Sequence, residues 1–224
     1  MARWLNGWRA LPGAQRWILI ALTLLLLVVQ IDQPFPGTAP LHHIPTALLL
    51  IAAPVLLARW PLATAELACI AGFLALHTFG ARWTYTNMPY DMWSEAVFGA
   101  SINALLGWER NNYDRIVHFA FGAFAVAPIV GLACRRAGAG AWWAASIAVG
   151  FVLAAGGVYE IFEWGISLAA PASMADDYNG QQGDMWDAQK DMALAGLGAL
   201  IAVLWVARPG LAARVRIDSG DRRG

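Results

Sequence analysis

The sequence predicts an all-α, polytopic integral membrane protein that crosses the bilayer six times, with both termini in the cytoplasm. Of the 224 residues, 59% are hydrophobic and 13% are charged, whereas soluble domains contain roughly 45–50% apolar and about 25% charged residues. Six apolar windows follow one another along the chain, and the basic residues are sorted between the connections that separate them. A bilayer suits this composition, because lipid accepts apolar side chains on the outside of a helix.

The six predicted spans cover approximately residues 17–31, 44–58, 62–80, 116–134, 141–170 and 185–207. The first two are shorter than the roughly 20 residues that a bilayer core requires, so we expect them to recruit flanking residues or to thin the membrane locally. The basic N-terminus and the first apolar window imitate a secretory leader, but Asp32, Gln33 and Pro34 follow in place of a cleavage site. We therefore interpret this segment as an uncleaved first span.

The distribution of arginine and lysine predicts the orientation of the spans. With six spans and the N-terminus inside, eleven of the fifteen basic residues fall in cytoplasmic segments, and the others are Arg82, Arg110, Arg115 and Lys190. Short cytoplasmic loops collect basic residues, so we expect both termini inside. The chain then forms one transmembrane domain over residues 1–224, of which residues 208–224 are a basic cytoplasmic tail.

The longest connection, residues 81–113, lies between spans 3 and 4 on the outer side. It is rich in tryptophan and tyrosine, and residues 95–106 carry apolar side chains at helical spacing. This pattern predicts a short helix that lies in the headgroup region or re-enters the protein. An aromatic belt without any chemistry explains the tryptophan and tyrosine content equally well.

Acidic and histidine side chains occur on four predicted spans at a similar depth. Asp114 and His118 are four residues apart, and Glu160 and Glu163 are three apart, so each pair shares one helix face. The complete set is Asp114, His118, Glu160, Glu163, Asp184, Asp187, Asp191 and, on span 3, His77. Because successive spans alternate in direction, we expect all eight groups in the outer third of the bilayer.

Small residues continue these charged stripes toward the cytoplasmic side. They are Gly122 and Ala125 on span 4, Gly156 and Gly157 on span 5, and Ala195 and Gly198 on span 6. Small residues allow helix backbones to approach closely. Spans 4, 5 and 6 are therefore expected to pack together below a shared polar chamber.

The predicted chamber holds six carboxylates with only Arg115 and Lys190 as basic partners. A charged side chain at the centre of a membrane helix costs about 2.5–3.5 kcal/mol on insertion scales, so cations, shared protons, ion pairs or water must compensate. Carboxylate and imidazole together suit a divalent metal such as Zn, Mn or Fe. A buried network that only fixes the helix register is the structural alternative.

The leading functional hypothesis is a metal-dependent, hydrolase-like membrane enzyme that acts on a lipid or lipid-linked substrate. In this hypothesis the metal ligands are His118, Glu160, Glu163, Asp184 and Asp187. The catalytic acid or base candidates are Asp191 and Glu163. Supporting roles fall to Asp114, which orients His118, and to His77 and Arg115.

Two other classes of function stay open, namely a cation- or proton-coupled transporter and a structural or assembly protein of the membrane. The bilayer is the expected partner, nucleic acid is not expected because no recognition motif accompanies the arginines, and the sequence identifies no protein partner. His42 and His43, between Pro40 and Pro45, are expected in a solvated outer loop. Glu66 is expected at the cytoplasmic interface.

Three segments carry a family resemblance. They are residues 113–119 (YDRIVHF), 159–164 (YEIFEW) and 183–192 (GDMWDAQKDM). In order and spacing they resemble the YjdF-like family of bacterial inner-membrane proteins, from the third span onward. The resemblance implies an inner-membrane location, and it assigns no catalytic residue.

Overall fold

The computed structural model describes residues 1–169, 171 and 178–206, and the regular secondary structure in these ranges is entirely helical. The helices are α1 (Ala2–Ala10), α2 (Gly13–Val28), α3 (Ala39–Arg59), α4 (Thr64–Ala81), α5 (Tyr90–Phe98), α6 (Ile102–Leu106), α7 (Tyr113–Ala137), α8 (Ala141–Ala169) and α9 (Asp187–Val206). The predicted all-helical, multi-span class is confirmed. The predicted tail, residues 208–224, lies outside the described residues, as do the last residues of the fifth and sixth predicted spans.

Five helices within the described ranges are long and apolar enough to cross a bilayer, namely α3, α4, α7, α8 and α9. Helices α1 and α2 pass the same test only as a pair, and they are bent by 118°. The bend follows from Pro12, because a residue before proline avoids the helical region, and Leu11 is extended with φ −68° and ψ 140°. The described ranges thus contain five candidate spans, or six where the bent pair counts as one.

Helix α3 begins earlier than the sequence predicts, and this corrects the expectation for two histidines. Pro40 lies in its first turn, where a missing N–H has no consequence, and Pro45 stays inside the helix. His42 and His43 are therefore helical and buried, with 1% and 4% of their surface exposed. The prediction of a solvated loop pair was wrong, because proline near a helix start does not end the helix.

Helices α7, α8 and α9 form one bundle, as the small-residue stripes predicted. A Cβ atom added at Gly122 would overlap the carbonyl oxygen of Ala195, and one at Gly198 would overlap that of Phe119. Backbones this close leave no room for side chains larger than hydrogen. The core beside these contacts includes Val126, Ala148, Val152 and Ala199, all fully buried.

The remaining long helices pack beside this bundle. Helix α4 contacts α7 and joins the two parts, α2 and α3 pack on α4, and α1 packs on α3. At the end of the bundle where α7 ends, Glu66 of α4 forms a two-pronged ion pair with Arg135 of α7, with both N–O distances 2.7 Å. A Cβ atom at Gly131 would overlap the Glu66 carboxylate. The absence of a side chain at Gly131 therefore leaves room for the ion pair between Glu66 and Arg135.

Two short helices, α5 and α6, occupy the connection between α4 and α7 where the sequence predicted one. Each ends at a glycine in the left-handed region, Gly99 with φ 69° and Gly107 with φ 65°. Apolar side chains on both helices are exposed, including Phe98 at 80% and Leu105 at 73%. This exposed apolar surface supports the predicted position at the membrane interface.

Asp91 connects α5 to the start of α6, and we expect its loss to loosen this connection. It accepts hydrogen bonds from the Ser101 hydroxyl at 2.6 Å and the Asn103 N–H at 2.9 Å. Asp91→Ala should increase hydrogen exchange of the Asn103 amide several-fold, as measured by mass spectrometry. Glu95→Ala, an exposed acid on the same helix, is the control and should leave the exchange rate unchanged.

The same two hydrogen bonds lower the pKa of Asp91, with that from Ser101 the larger cause. A lowered folded pKa means that the carboxylate stabilises the fold above its unfolded pKa of about 3.9. This contribution is lost as the pH falls through the lower folded value. Amide protection of α6 should therefore decline only below about pH 4, and a decline between pH 5 and 7 would contradict this assignment.

Candidate functional site

Three helices bring charged side chains to one end of the bundle, where α7 begins, α8 ends and α9 begins. We call this the acidic end. The direction of the chain alternates between these helices, so the first turns of α7 and α9 meet the last turns of α8. Asp114 and His118 arrive on α7, Glu160 and Glu163 on α8, and Asp187 and Asp191 on α9.

Two arginines bind three of the acids, in an arrangement that we call the arginine frame (Arg110, Arg115, Lys190, Asp114, Asp184 and Asp187). Arg110 pairs with Asp114 and Asp187 and also donates to the carbonyl oxygens of residues 180 and 181. Arg115 bonds to Asp184 at 2.9 Å and to Asp187 at 2.7 Å. Lys190 bonds to Asp184 at 2.6 Å. The frame thus ties the start of α9 to the start of α7.

The electrostatics of the frame follow from these pairs. Burial alone would lower the pKa of Arg110, but the carboxylates of Asp114 and Asp187 raise it overall. The Lys190 hydrogen bond, followed by the Trp186 N–H, lowers the pKa of Asp184. Asp187 accepts from both arginines, and 5% of its side chain is exposed. Asp184 is therefore held as a charged partner of the frame.

A second group at the acidic end consists of His118, Glu160 and Asp191, one from each helix, which we call the triad. One donor atom from each lies within 4.8 Å of the others, and His118 Nε2 is 3.9 Å from Asp191 Oδ2. Two donors on a tetrahedral zinc ion are about 3.4 Å apart at the usual bond lengths. A shift of less than about 1 Å would therefore give this pair the spacing that a metal ion requires.

Two carboxylate oxygens of the triad make no hydrogen bond. Within the described part of the chain, Glu160 Oε1 and Asp191 Oδ1 are buried and accept none, and Asp191 Oδ1 lies 3.6 Å from Arg115 Nη1 in an ion pair. Only 3% of the surface of Asp191 is exposed. Buried polar atoms are almost always bonded, so Glu160 Oε1 in particular indicates a partner of positive charge or a proton donor.

Another set of three acids, Asp114, Asp187 and Asp191, also lies within 4.8 Å. Its first two members are paired with arginine, and Asp191, which belongs to both sets, is 3.6 Å from Arg115. None of the ion pairs described joins His118 or Glu160 to an arginine, so the triad has the freer donor set. At the acidic end six described carboxylates stand against Arg110, Arg115 and Lys190. This excess of negative charge favours a bound cation or shared protons.

The other predicted site residues lie around the triad. Asp184 belongs to the frame and to neither group of close donor atoms. Asp114 contacts Arg110, and no contact with His118 is described. Glu163 is buried and its carbonyl oxygen accepts from Asn179 at 3.0 Å, while burial and the Glu163 carboxylate raise the pKa of the nearby Tyr178.

His77 lies in a separate group with His42 and His43, which we call the histidine cluster. His77 Nε2 bonds to the His42 carbonyl oxygen at 2.9 Å, and Nδ1 to the Tyr85 hydroxyl at 2.6 Å. Burial raises the pKa of Tyr85 well above its usual value, so the hydroxyl is the donor. The His42 ring stacks on the Tyr178 ring, with the two ring centroids 4.1 Å apart. Neither nitrogen of the His42 ring has a hydrogen-bond partner in the described ranges.

Several of these residues were missed at the sequence level. Arg110 precedes Asp114 by four residues, and i,i+4 spacing of opposite charges predicts their pairing. Tyr159, whose ring centroid is 6.1 Å from that of His118, follows from its position beside Glu160. Tyr178 and the burial of the histidine cluster depend on tertiary packing, and no local pattern predicts them.

Comparisons with known proteins cover most of the chain. A family model described as "Predicted membrane protein (DUF2238)" matches residues 14–210. The inner membrane protein YjdF of Escherichia coli (strain K12) is 34% identical over 155 residues, which cover 67% of this chain and 68% of YjdF. No solved structure matches. The resemblance predicted from the three segments is confirmed.

Proposed function

Because this chain belongs to the DUF2238 family of predicted membrane proteins, we propose that it is a bacterial inner-membrane protein whose triad binds a divalent metal ion. The name of its relative YjdF supports the location. The six-span prediction assigns eleven of the fifteen basic residues to one side, and this bias supports an orientation with both termini in the cytoplasm. The acidic end then faces the periplasm, and the chain forms one transmembrane domain.

The observation that carries the metal proposal is the group of three donor atoms, one imidazole and two carboxylates, in which two buried carboxylate oxygens accept no hydrogen bond. Glu160 Oε1 needs a positive partner, and Asp191 Oδ1 has only the 3.6 Å ion pair with Arg115. One imidazole and two carboxylates suit zinc, manganese or iron, and the absence of a thiolate among these donors fits the harder ions. Asp191, which the sequence marked as an acid or base, becomes a ligand in this proposal.

We further propose a hydrolytic reaction on a lipid or lipid-linked substrate. A site with three protein ligands leaves a coordination position open, as catalytic zinc sites do, and a divalent ion lowers the pKa of a water molecule that it binds. Glu163 lies one turn after Glu160 on the same helix and is the candidate general base. The arginine frame holds α7 and α9 in place, so that the triad keeps its spacing.

The metal proposal predicts one bound ion per chain. In protein purified without chelator and loaded with Zn²⁺, Mn²⁺ or Fe²⁺ in turn, elemental analysis should give a stoichiometry near one for one of the three. Glu160→Gln and Asp191→Asn should weaken binding by more than the roughly 10- to 100-fold that loss of a supporting contact causes. Asp184→Asn is the matched control, since this acid lies in the frame, and it should retain the ion.

Four outcomes would contradict or redirect the proposal. If wild-type protein binds none of these ions, the triad is not a metal site. If Asp184→Asn loses the ion and Asp191→Asn does not, the ligand set is the one predicted from sequence. If the triad variants lose only thermal stability, the network is structural. Cation flux into proteoliposomes that requires Glu160 would favour the transporter class.

A further inference from the structure

A lateral groove runs between α3 and α8 on the flank of the protein. Helix α3 packs on α1, α2 and α4, and α8 packs on α7 and α9, but α3 and α8 scarcely touch in the described ranges. The groove between them has a volume of about 720 Å³. Ile44 of α3 and Val158 and Phe162 of α8 line it, and its described lining is apolar except for Tyr159 and Tyr178.

The two tyrosines connect the lateral groove to the acidic end. Tyr159 stands between Val158 of the groove and Glu160 of the triad, and its ring lies 6.1 Å from that of His118. The Tyr178 and Phe162 rings meet edge to face, with their centroids 6.1 Å apart. The groove therefore has one polar end, and that end borders the triad.

The rest of the groove opens toward the lipid. Ile44, Val158 and Phe162 are 50%, 67% and 52% exposed, and they lie on helices long and apolar enough to cross the bilayer. Water does not occupy an apolar space of this kind. The hydrocarbon chains of the surrounding membrane can enter the groove, because the groove is continuous with the lipid-facing surface of both helices.

An arginine beside the triad indicates the chemistry of the head group. Arg115 Nη1 is buried and makes no hydrogen bond in the described part of the chain, and its ion pair with Asp191 Oδ1 is long, at 3.6 Å. Guanidinium groups bind phosphate oxygens strongly and with defined geometry. Together with a metal ion at the triad, this donor matches an anionic phosphate ester.

We infer that the lateral groove binds an acyl chain of a membrane phospholipid and presents its phosphate ester to the triad. The inference rests on the proposed metal site for the head group and names the substrate class of that site. The acyl chain lies along Ile44, Val158 and Phe162. The ester linkage reaches Tyr159 and Tyr178, beside His118 and Glu160.

Photochemical labelling in vesicles tests this assignment. Full-length protein in phosphatidylethanolamine and phosphatidylglycerol vesicles is irradiated with a phospholipid that carries a diazirine in its acyl chain, and the labelled peptides are mapped by mass spectrometry. Labelling should be saturable and concentrated on α3 and α8 around Ile44 and Val158. Lipid-facing residues elsewhere, such as Leu27 and Leu204, should be labelled at a lower level that does not saturate.

A bulky side chain in the groove should block the labelling. Val158→Trp and, independently, Ile44→Trp should lower the saturable labelling at least about tenfold, because displacing even two methylene groups from apolar surface costs about a decade in affinity. Leu204→Trp, on an exposed position of α9, is the matched control and should have no effect. Both groove positions are exposed, so the variants should keep the fold.

The two proposals fail in different ways. Val158→Trp should keep its metal ion, whereas Glu160→Gln should lose the ion and still be labelled in the groove. Labelling that is uniform over all lipid-facing helices, or unchanged in both groove variants, would overturn the groove assignment whatever the metal content. Saturable cross-links from the groove to another protein chain would overturn it as well.

Discussion

Gly198→Leu is expected to prevent assembly of the α7, α8 and α9 bundle. Even a Cβ atom at Gly198 overlaps the Phe119 carbonyl oxygen and lies 3.0 Å from the Ala123 nitrogen. Both obstacles are backbone atoms, so α9 must move away from α7. Overpacking a core costs typically 1–3 kcal/mol and occasionally more, and here the whole helix contact is lost. We expect aggregated protein in place of a single symmetric elution peak in detergent.

A matched substitution separates this effect from the general effect of leucine at a helical glycine. Gly150 is exposed on α8, and a Cβ atom there meets nothing within 4 Å. Gly150→Leu should elute and melt like the wild type. If Gly198→Leu also elutes and melts normally, the close approach of α7 and α9 is not present in the membrane-extracted protein.

Asp187→Ala is expected to cause the second largest loss, because this carboxylate is shared by Arg110 and Arg115. Removing one partner of a buried ion pair typically costs 3–5 kcal/mol, since the remaining charge is left without compensation. Here two largely buried arginines lose a partner at once. The apparent melting temperature in detergent, followed by tryptophan fluorescence, should fall steeply. For Asp187→Asn the decrease in melting temperature should be smaller, because the side-chain oxygen of asparagine can still accept a hydrogen bond from an arginine.

The control for Asp187 lies in the same network at a more exposed position. Lys190 binds Asp184, but 54% of its side chain is exposed. Exposed pairs contribute about 0–1 kcal/mol, so Lys190→Ala should hardly change the melting temperature. Equal decreases in the melting temperature of Asp187→Ala and Lys190→Ala would show that burial does not determine how much an ion pair of the frame contributes to stability.

Hydropathy and small-residue spacing predicted the elements that depend on local pattern. The six apolar windows correspond to five helices that are long and apolar enough to span a bilayer and one bent pair, and Gly122 and Gly198 mark the α7 and α9 contact correctly. The bend before Pro12 was readable from the restriction that proline imposes on the preceding residue. The early start of α3 was readable from Pro40, because proline is favoured in a first helical turn.

The allocation of acids between the arginine frame and the triad was not readable in the same way. Asp184, Asp187 and Asp191 follow one another at helical spacing in the sequence, yet Asp184 and Asp187 make close pairs with arginine, while Asp191 lies beside His118 and is 3.6 Å from Arg115. Which oxygen meets which donor depends on side-chain rotamers and on Arg110, a residue from outside the helices. Periodicity fixes the face of a helix, and it does not fix these pairings.

The ion pairs also distribute mechanical stiffness unevenly. Helix α7 is clamped at both ends, by Arg135 to Glu66 and by Asp114 and Arg115 to the frame, whereas none of the ion pairs described includes a residue of α8. Thermal fluctuation and changes in bilayer thickness will therefore displace α8 more readily than α7. Helix α7 is therefore the more rigid of the two. Displacement of α8 changes the width of the lateral groove, and so the thickness of the molecule that can bind there.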